Sequence, residues 1–269
     1  MTLTPAALAD LCTRALPDER LTVDELAHVC FGPGDEIIGD DDGAVAFTFK
    51  EFGKHRSVWL VLVAVSPERQ GAGLGNALVR AALDAARARD TRTAHLASAV
   101  PRYLWPGVDL ANTRAGMLFE GIGFERDLVG INMSIPSSFR RDPPPGVRVE
   151  RETGTGAVEF AARAYPQWID ELTVAIERGT AFAARDMHGA TIGFGCHSCN
   201  RATWIGPMAT DPDAQHGGVG SAVLAAVCAD LAARGHAAGE IAWVSNLRFY
   251  GKCGATVSRV FQGGHLVLT

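Results

Sequence analysis

Residues 65–75 read Val65-Ser-Pro-Glu-Arg-Gln-Gly-Ala-Gly-Leu-Gly75, and residues 210–220 read Thr210-Asp-Pro-Asp-Ala-Gln-His-Gly-Gly-Val-Gly220. Gln70, Gly73 and Gly75 return as Gln215, Gly218 and Gly220 at one offset of 145, which marks an internal duplication. Each phrase follows an apolar, extended run, residues 57–65 or 203–209, and precedes a helical pattern. In the second helix Val219, Val223, Val227 and Leu231 recur every four residues as one apolar stripe, and Gly235 supplies a stop. Residues 76–88 are alanine-rich and predict the first. Strand, glycine loop, helix is therefore the repeated unit.

Outward from the loops the copies stay parallel. Downstream come short strands at 94–98 and 240–244, then a short helix, then a terminal pair of strands in each copy. Leu118-Phe-Glu-Gly-Ile-Gly-Phe124 matches Phe249-Tyr-Gly-Lys-Cys-Gly-Ala255 at an offset of 131, so the first copy holds 14 extra residues between loop and helix. Residues 100–109, a proline-bounded aromatic loop, account for them. Upstream, the second copy predicts a strand at 147–152, helices across 156–178 and hairpin strands at 181–185 and 191–196. The first copy lacks the opening strand and starts with helices at 5–16 and 23–30, then strands at 36–38 and 44–50. Ile135-Pro-Ser-Ser-Phe-Arg-Arg-Asp-Pro-Pro-Pro-Gly146 carries four prolines and little apolar pattern. The expected organisation is α+β: a domain at 1–138, a linker at 139–146 and a domain at 147–269, each a mixed, mainly antiparallel sheet flanked by helices.

Composition narrows the function. With 269 residues, 47% of them hydrophobic, the chain can bury two cores. No unbroken apolar run exceeds the eight residues of 58–65, far short of the ~20 that span a bilayer, so no membrane partner is expected. Residues 1–20 lack a basic leader and carry Asp10, Asp18 and Glu19, which predicts a cytoplasmic protein. The net charge is −5 and the basic residues are scattered, which argues against a nucleic-acid surface and for a small-molecule partner. Six cysteines are too few for a disulfide framework. Cys196-His197-Ser198-Cys199 has metal-like spacing but no second pair, so it reads as a strand end, and no metal site is expected.

A loop between a strand and a helix amino terminus presents free N–H groups and the positive end of the helix dipole, which suits a phosphate or pyrophosphate. The spacing excludes two alternatives. A dinucleotide fingerprint needs G-x-G-x-x-G, and a nucleotide-triphosphate loop needs Gly-Lys-Ser/Thr; neither copy has them.

Two such loops, each followed by an aromatic-x-x-x-Gly helix, resemble the GNAT superfamily of acyl-coenzyme A-dependent N-acyltransferases. The family loop reads Gln/Arg-x-x-Gly-x-Gly/Ala after a strand ending in Val-x-Pro, and residues 70–75 and 215–220 match it. The layout is similar to tandem GNAT proteins of the mycothiol synthase type. The resemblance implies acetyl-coenzyme A (acetyl-CoA) as cosubstrate. Its pantetheine would pair with the strand before the loop and its pyrophosphate would rest on loop amides. This implicates Met208, Ala209, Thr210, His216, Gly217, Gly218, Val219, Gly220, Ser221 and Asn246 in the second domain. In the first it implicates Val63, Ala64, Val65, Gly71, Ala72, Gly73, Leu74, Gly75 and Asn76, with Asn112 as a further polar contact. Pro207 supports the picture independently, because proline cannot donate to a central ladder and so marks a bulge or splay.

Attack of an amine on a thioester needs a deprotonated nucleophile, a donor for the carbonyl oxygen and an acid for the departing thiolate. The resemblance places Tyr250 at the acid position and Phe119 at the corresponding place in the first domain, which has no proton to give. Glu240, His197 and Asp211 are candidate bases, Glu240 first. Trp168, Trp204 and Trp243 are candidates to line the acceptor cavity. The expectation is an acetyltransferase acting on a small-molecule primary amine, a monomer (internal pseudo-dimer) or homodimer. The alternative is a non-catalytic acyl-CoA-binding or sensing protein.

Overall fold

The computed structural model describes residues 3–52 and 55–268; residues 1, 2, 53, 54 and 269, which the two sequence domains include, lie outside the described residues. The elements run α1 (Pro5–Ala15), α2 (Val23–Cys30), β1 (Asp35–Asp40), β2 (Gly43–Phe52), β3 (His55–Val65), α3 (Leu74–Arg87), β4 (Thr93–Leu96), β5 (Val108–Asp109), α4 (Thr113–Ile122) and β6 (Glu125–Pro136). They continue with β7 (Arg148–Arg151), α5 (Gly156–Ala164), α6 (Ile169–Glu177), β8 (Ala181–Arg185), β9 (Thr191–His197), β10 (Trp204–Thr210), α7 (Val219–Ala233), β11 (Ala238–Ile241), α8 (Leu247–Lys252) and β12 (Thr256–Val267). Two compact units result, Met1–Gly130 with Val260–Thr269, and Ile131–Arg259.

In the first unit the strand order is β1-β2-β3-β4-β12, antiparallel except for the parallel pair β3 and β4. The unbroken apolar stretch of β3 is covered on both faces, as a central strand requires. One face packs Val58 and Leu60 under Leu78, Val79 and Leu83 of α3, and the other packs Val61 and Leu62 under Leu8, Leu11 and Leu26 of α1 and α2. Thr4 caps α1 ahead of Pro5, and a reciprocal Thr22–Glu25 capping box starts α2.

The second unit repeats the plan with its own opening strand: β7-β8-β9-β10-β11-β6, antiparallel except for β10 and β11. The helix α7 buries more than its predicted stripe, adding Ala222, Leu224, Ala225 and Cys228 to Val219, Val223, Val227 and Leu231. The opposite face of the sheet carries α5 and α6, with Phe160, Leu172 and Ala175 packed on Ala181, Ala183 and Phe194.

Two expectations are corrected. The terminal pair of strands in each copy is one strand of 12 residues, about twice the usual length. Its two ends have different partners, so the compact units do not divide at 138 and 147. Met133–Pro136 pair with β11 inside the second unit, and His265–Val267 pair with β4 inside the first. A terminal strand reads identically in sequence whichever sheet its distal half joins.

Candidate active site

The duplicated loops share a backbone. Gly73 and Gly218 are the N-caps of α3 and α7 at φ +86° and +94°, and two residues earlier Gly71 and His216 stand at +77° and +65°. Left-handed geometry favours glycine at these caps. A Cβ on Gly73 or Gly218 would meet nothing within 4 Å, so the constraint is conformational and the space beside the loop is open. The first intrahelical bonds run from Ala77 N to Gly73 O and from Ala222 N to Gly218 O. The N–H groups of Leu74, Gly75 and Asn76, and of Val219, Gly220 and Ser221, therefore find no acceptor among the described residues. The constant glutamine is a brace: Gln70 Nε2 donates to Val65 O at 3.0 Å and Gln215 Nε2 to Thr210 O at 3.3 Å. Replacing Gly218 by alanine should cost about 1–2 kcal/mol of backbone strain, read as a lower denaturation midpoint, with no steric clash to relieve.

The strand before each loop is splayed at the same place. Leu60 pairs with Leu96 and Ile205 with Ile241, and there the parallel ladders end, closed by Ala97 N to Leu60 O and Ala242 N to Ile205 O. On the other edge a bulge falls at Val61 in β3 and at Gly206-Pro207 in β10, where the proline implied one. Val63, Ala64 and Val65 keep their partners on β2, and Met208, Ala209 and Thr210 theirs on β9. Their opposite edges have no strand partner among the described residues. Free strand edge and free loop amides are contiguous in each unit, a fit for an extended chain ending in a pyrophosphate.

The helix α8 meets the loop through Phe249, whose ring atoms lie 3.4 Å from where a Gly220 Cβ would stand; in the first unit Leu118 makes the matching approach to Gly75 at 3.5 Å. Tyr250 follows Phe249, with ring centroids 4.8 Å apart. Burial, and second the charge Cys253 acquires when it ionises at high pH, pushes its hydroxyl up to about 12, so it keeps its proton at neutral pH. That hydroxyl makes no hydrogen bond to any described residue. Phe119 is buried edge-to-face on Phe124 at 5.5 Å. Asn246 and Asn112 are N-caps, accepting from Phe249 N at 3.0 Å and Ala115 N at 3.1 Å, so each Oδ1 is committed to its helix. The N-caps lie 134 apart, against 145 at the last ladder pairs and 131 at the closing Gly123 and Gly254. The surplus of the first copy is thus shared, 11 residues ahead of α4 and three within it.

The candidate bases are all hydrogen-bonded. Glu240, in the ladder pair before the splay, accepts from Asn132 Nδ2 at 2.7 Å and Trp204 Nε1 at 3.2 Å. Buried Asn132 completes the network by accepting from Trp243 N at 2.9 Å. Asp211 caps the short turn after β10, taking Asp213 N at 2.9 Å. His197 is fully buried, with Nε2 2.8 Å from Asp230 and Nδ1 2.8 Å from Ser198 Oγ. Burial holds its imidazole below the usual value, so neutral His197 donates to Asp230. Although burial alone would raise Asp230, hydrogen bonds from Arg151, Arg234 and His197 keep its carboxyl well below the carboxylate range. His197 therefore locks β9 to α7. Cys196 packs on the opposite face with α5 and α6, so the two side chains point away from each other. Of the tryptophans, Trp204 is buried, Trp168 stacks on Tyr165 at 4.9 Å, and Trp243 is 45% exposed.

One carboxyl was not anticipated. Asp24-Glu25-Leu26 and Asp170-Glu171-Leu172 occupy the same turn of α2 and α6. Glu25 closes its capping box, but Trp168 at the N-cap of α6 offers no acceptor, and Glu171 is buried beside Asn200, whose Nδ2 donates at 3.3 Å. Burial, then the charge of Asp170, pushes Glu171 up to about 7. The folded state holds this proton after the unfolded chain has released it, so stability falls as pH rises from about 4.5 to about 7. Glu171→Gln should remove that slope and add up to about 3 kcal/mol at pH 8. Denaturant titrations of both proteins at pH 4.5 and pH 8 check it; equal slopes would contradict it.

The acetyltransferase (GNAT) domain family matches residues 28–126, and the acetyltransferase (GNAT) family matches residues 148–255. No curated protein sequence matches the chain. Among solved structures it is similar to the GCN5-related glucosamine N-acetyltransferase region of a fungal multi-domain GH3 β-N-acetylglucosaminidase (TM-score 0.76, 19% identity, 97% of this chain and 37% of that one). It is also similar to a tandem GNAT protein from the clavulanic acid biosynthesis pathway (0.73, 15%, 99% and 95%) and to a GCN5-related N-acetyltransferase from Sphaerobacter thermophilus (0.67, 17%, 99% and 94%). The chain spans little more than a third of the fungal protein, and at these identities the likeness concerns the fold. GNAT domains generally use acetyl-CoA. Doubled loops, doubled splays and two family matches make this chain a tandem GNAT acetyltransferase-family protein, one domain in each half.

Proposed function

We propose that the second domain moves an acetyl group from acetyl-CoA to a primary amine of a small molecule by direct attack. The cosubstrate supplies the acyl thioester. The amides of residues 216–221 hold its pyrophosphate, and the free edge of Met208, Ala209 and Thr210 aligns its pantetheine. The N–H of Thr210, which alternation with the Asp211–Ile192 pairing turns away from β9, donates to the thioester oxygen as it gains charge. Glu240, which borders the opening, takes the proton of the attacking amine through the lone pairs its two hydrogen bonds leave free. Tyr250 protonates the departing thiolate.

The observation that carries this reading is the unpartnered, protonated hydroxyl of Tyr250 next to the residue that contacts the loop. The first domain has the same loop and strand edge but Phe119 in place of the acid, so it carries no transfer. Incubation of the purified protein with acetyl-CoA and pooled primary amines should release free thiol and yield an acetylated amine by mass spectrometry. Thiol release without an acylated amine would overturn the reading.

A further inference from the structure

We infer that Asn132 is a positioning residue for acetyl transfer: a buried amide that holds the carboxylate of Glu240 in the orientation from which it takes the proton of the attacking amine. This role, which rests on the reading of Glu240 as the base, comes from the end of β6 that lies inside the second unit, two residues before the Ser134 that pairs with Glu240. Asn132 is fully buried, and both ends of its amide are used. Nδ2 donates to Glu240 Oε1 at 2.7 Å, while Oδ1 accepts from Trp243 N at 2.9 Å.

The first unit separates these two bonds. There His95 stands in the ladder where Glu240 does, and Gly263, two residues before His265, stands where Asn132 does. Ser98 and Trp243 share one left-handed turn, each at φ +52°. The Ser98 N–H donates to Trp105 O at 2.9 Å, a backbone carbonyl in the surplus loop of the first copy. The second copy lacks that loop, and Asn132 Oδ1 supplies the acceptor instead. The Oδ1 bond is therefore structural, with a counterpart. The Nδ2 bond has none, because Gly263 carries no side chain and His95 is stacked on Trp59 at 4.7 Å. An amide is the side chain of this length that accepts and donates at once. The donor to Glu240 thus occurs in the copy that has Tyr250, and the copy with Phe119 has neither.

Two donors fix what one leaves free to rotate. Trp204 Nε1 holds Glu240 Oε2 at 3.2 Å and Asn132 holds Oε1, so both oxygens are pinned and each keeps a lone pair for the amine proton. The tryptophan is common to both copies, as Trp59 and Trp204, and the amide is particular to the second. Proton removal needs the base within hydrogen-bond reach, and a misplacement of about 1 Å costs about 10²-fold.

The test is a double-mutant cycle on the full chain, read by thiol release with an amine that the parent protein acetylates. Asn132→Leu, close in size but without donor or acceptor, should lower kcat about 10- to 100-fold and leave the affinity for acetyl-CoA unchanged by calorimetric titration. Glu240→Gln should lower kcat at least as far. In Asn132→Leu combined with Glu240→Gln, kcat should equal that of Glu240→Gln alone, because the amide acts through a carboxylate already lost. Asn132→Gly, which copies the residue of the first domain, takes the place of leucine in the cycle if the leucine variant does not fold. A lower thermal midpoint with full kcat in the Asn132 variant would make the amide merely structural and overturn the proposal. Losses that multiply in the double variant would overturn it as well. Full kcat in Glu240→Gln, or a parent protein that acetylates no amine, would instead overturn the proposed function, and this role with it.

Discussion

Tyr250→Phe lowers kcat by about 10²- to 10⁴-fold while leaving the affinity for acetyl-CoA nearly unchanged, the range expected when general-acid assistance is removed. The affinity survives because the proposed contacts to the cosubstrate are backbone amides and a strand edge, which the hydroxyl does not touch. The ring also stays. Phe119 occupies the matching place in the first domain packed on a neighbouring phenylalanine, so the variant has a folded precedent within the same chain. The check is saturation kinetics by thiol release across pH, beside calorimetric titration of acetyl-CoA. Unchanged kcat would mean that water or another group protonates the thiolate.

The sequence disclosed what repeats and what is local. An offset of 145 held from the bulge through the loop to the last ladder pair, because strand, turn and helix are contiguous in the chain. The left-handed positions were legible as glycines at 71, 73 and 218, but not at His216, where a non-glycine residue adopts the same backbone. What stayed hidden depends on distant partners. Asn132 binds Glu240 across 108 positions, and the terminal strand that carries it looked like part of the first domain. Glu240 therefore read as a free base, whereas it also holds Trp204 at the edge of the opening. Glu171 was invisible for a related reason: it is buried like Glu25, but the tryptophan three positions earlier gives it no capping box to close. Sequence shows a carboxylate; only packing shows that it keeps a proton.

The asymmetry between the domains yields the second large effect. A glutamate at Gly218 would put a side chain and a negative charge beside the free amides of α7, where the pyrophosphate is proposed to lie. Activity should vanish, and Gly218→Ala, which carries the same backbone strain without the charge, should keep most of it. Gly73→Glu makes the identical change at the loop whose domain has Phe119 for an acid. The decisive measurement is thiol release by Gly218→Glu, Gly218→Ala and Gly73→Glu, each first shown to be folded by circular dichroism. Loss of turnover in Gly218→Glu with most of it retained in Gly73→Glu is the predicted result; the reverse would move catalysis to the first domain and contradict the assignment of Tyr250.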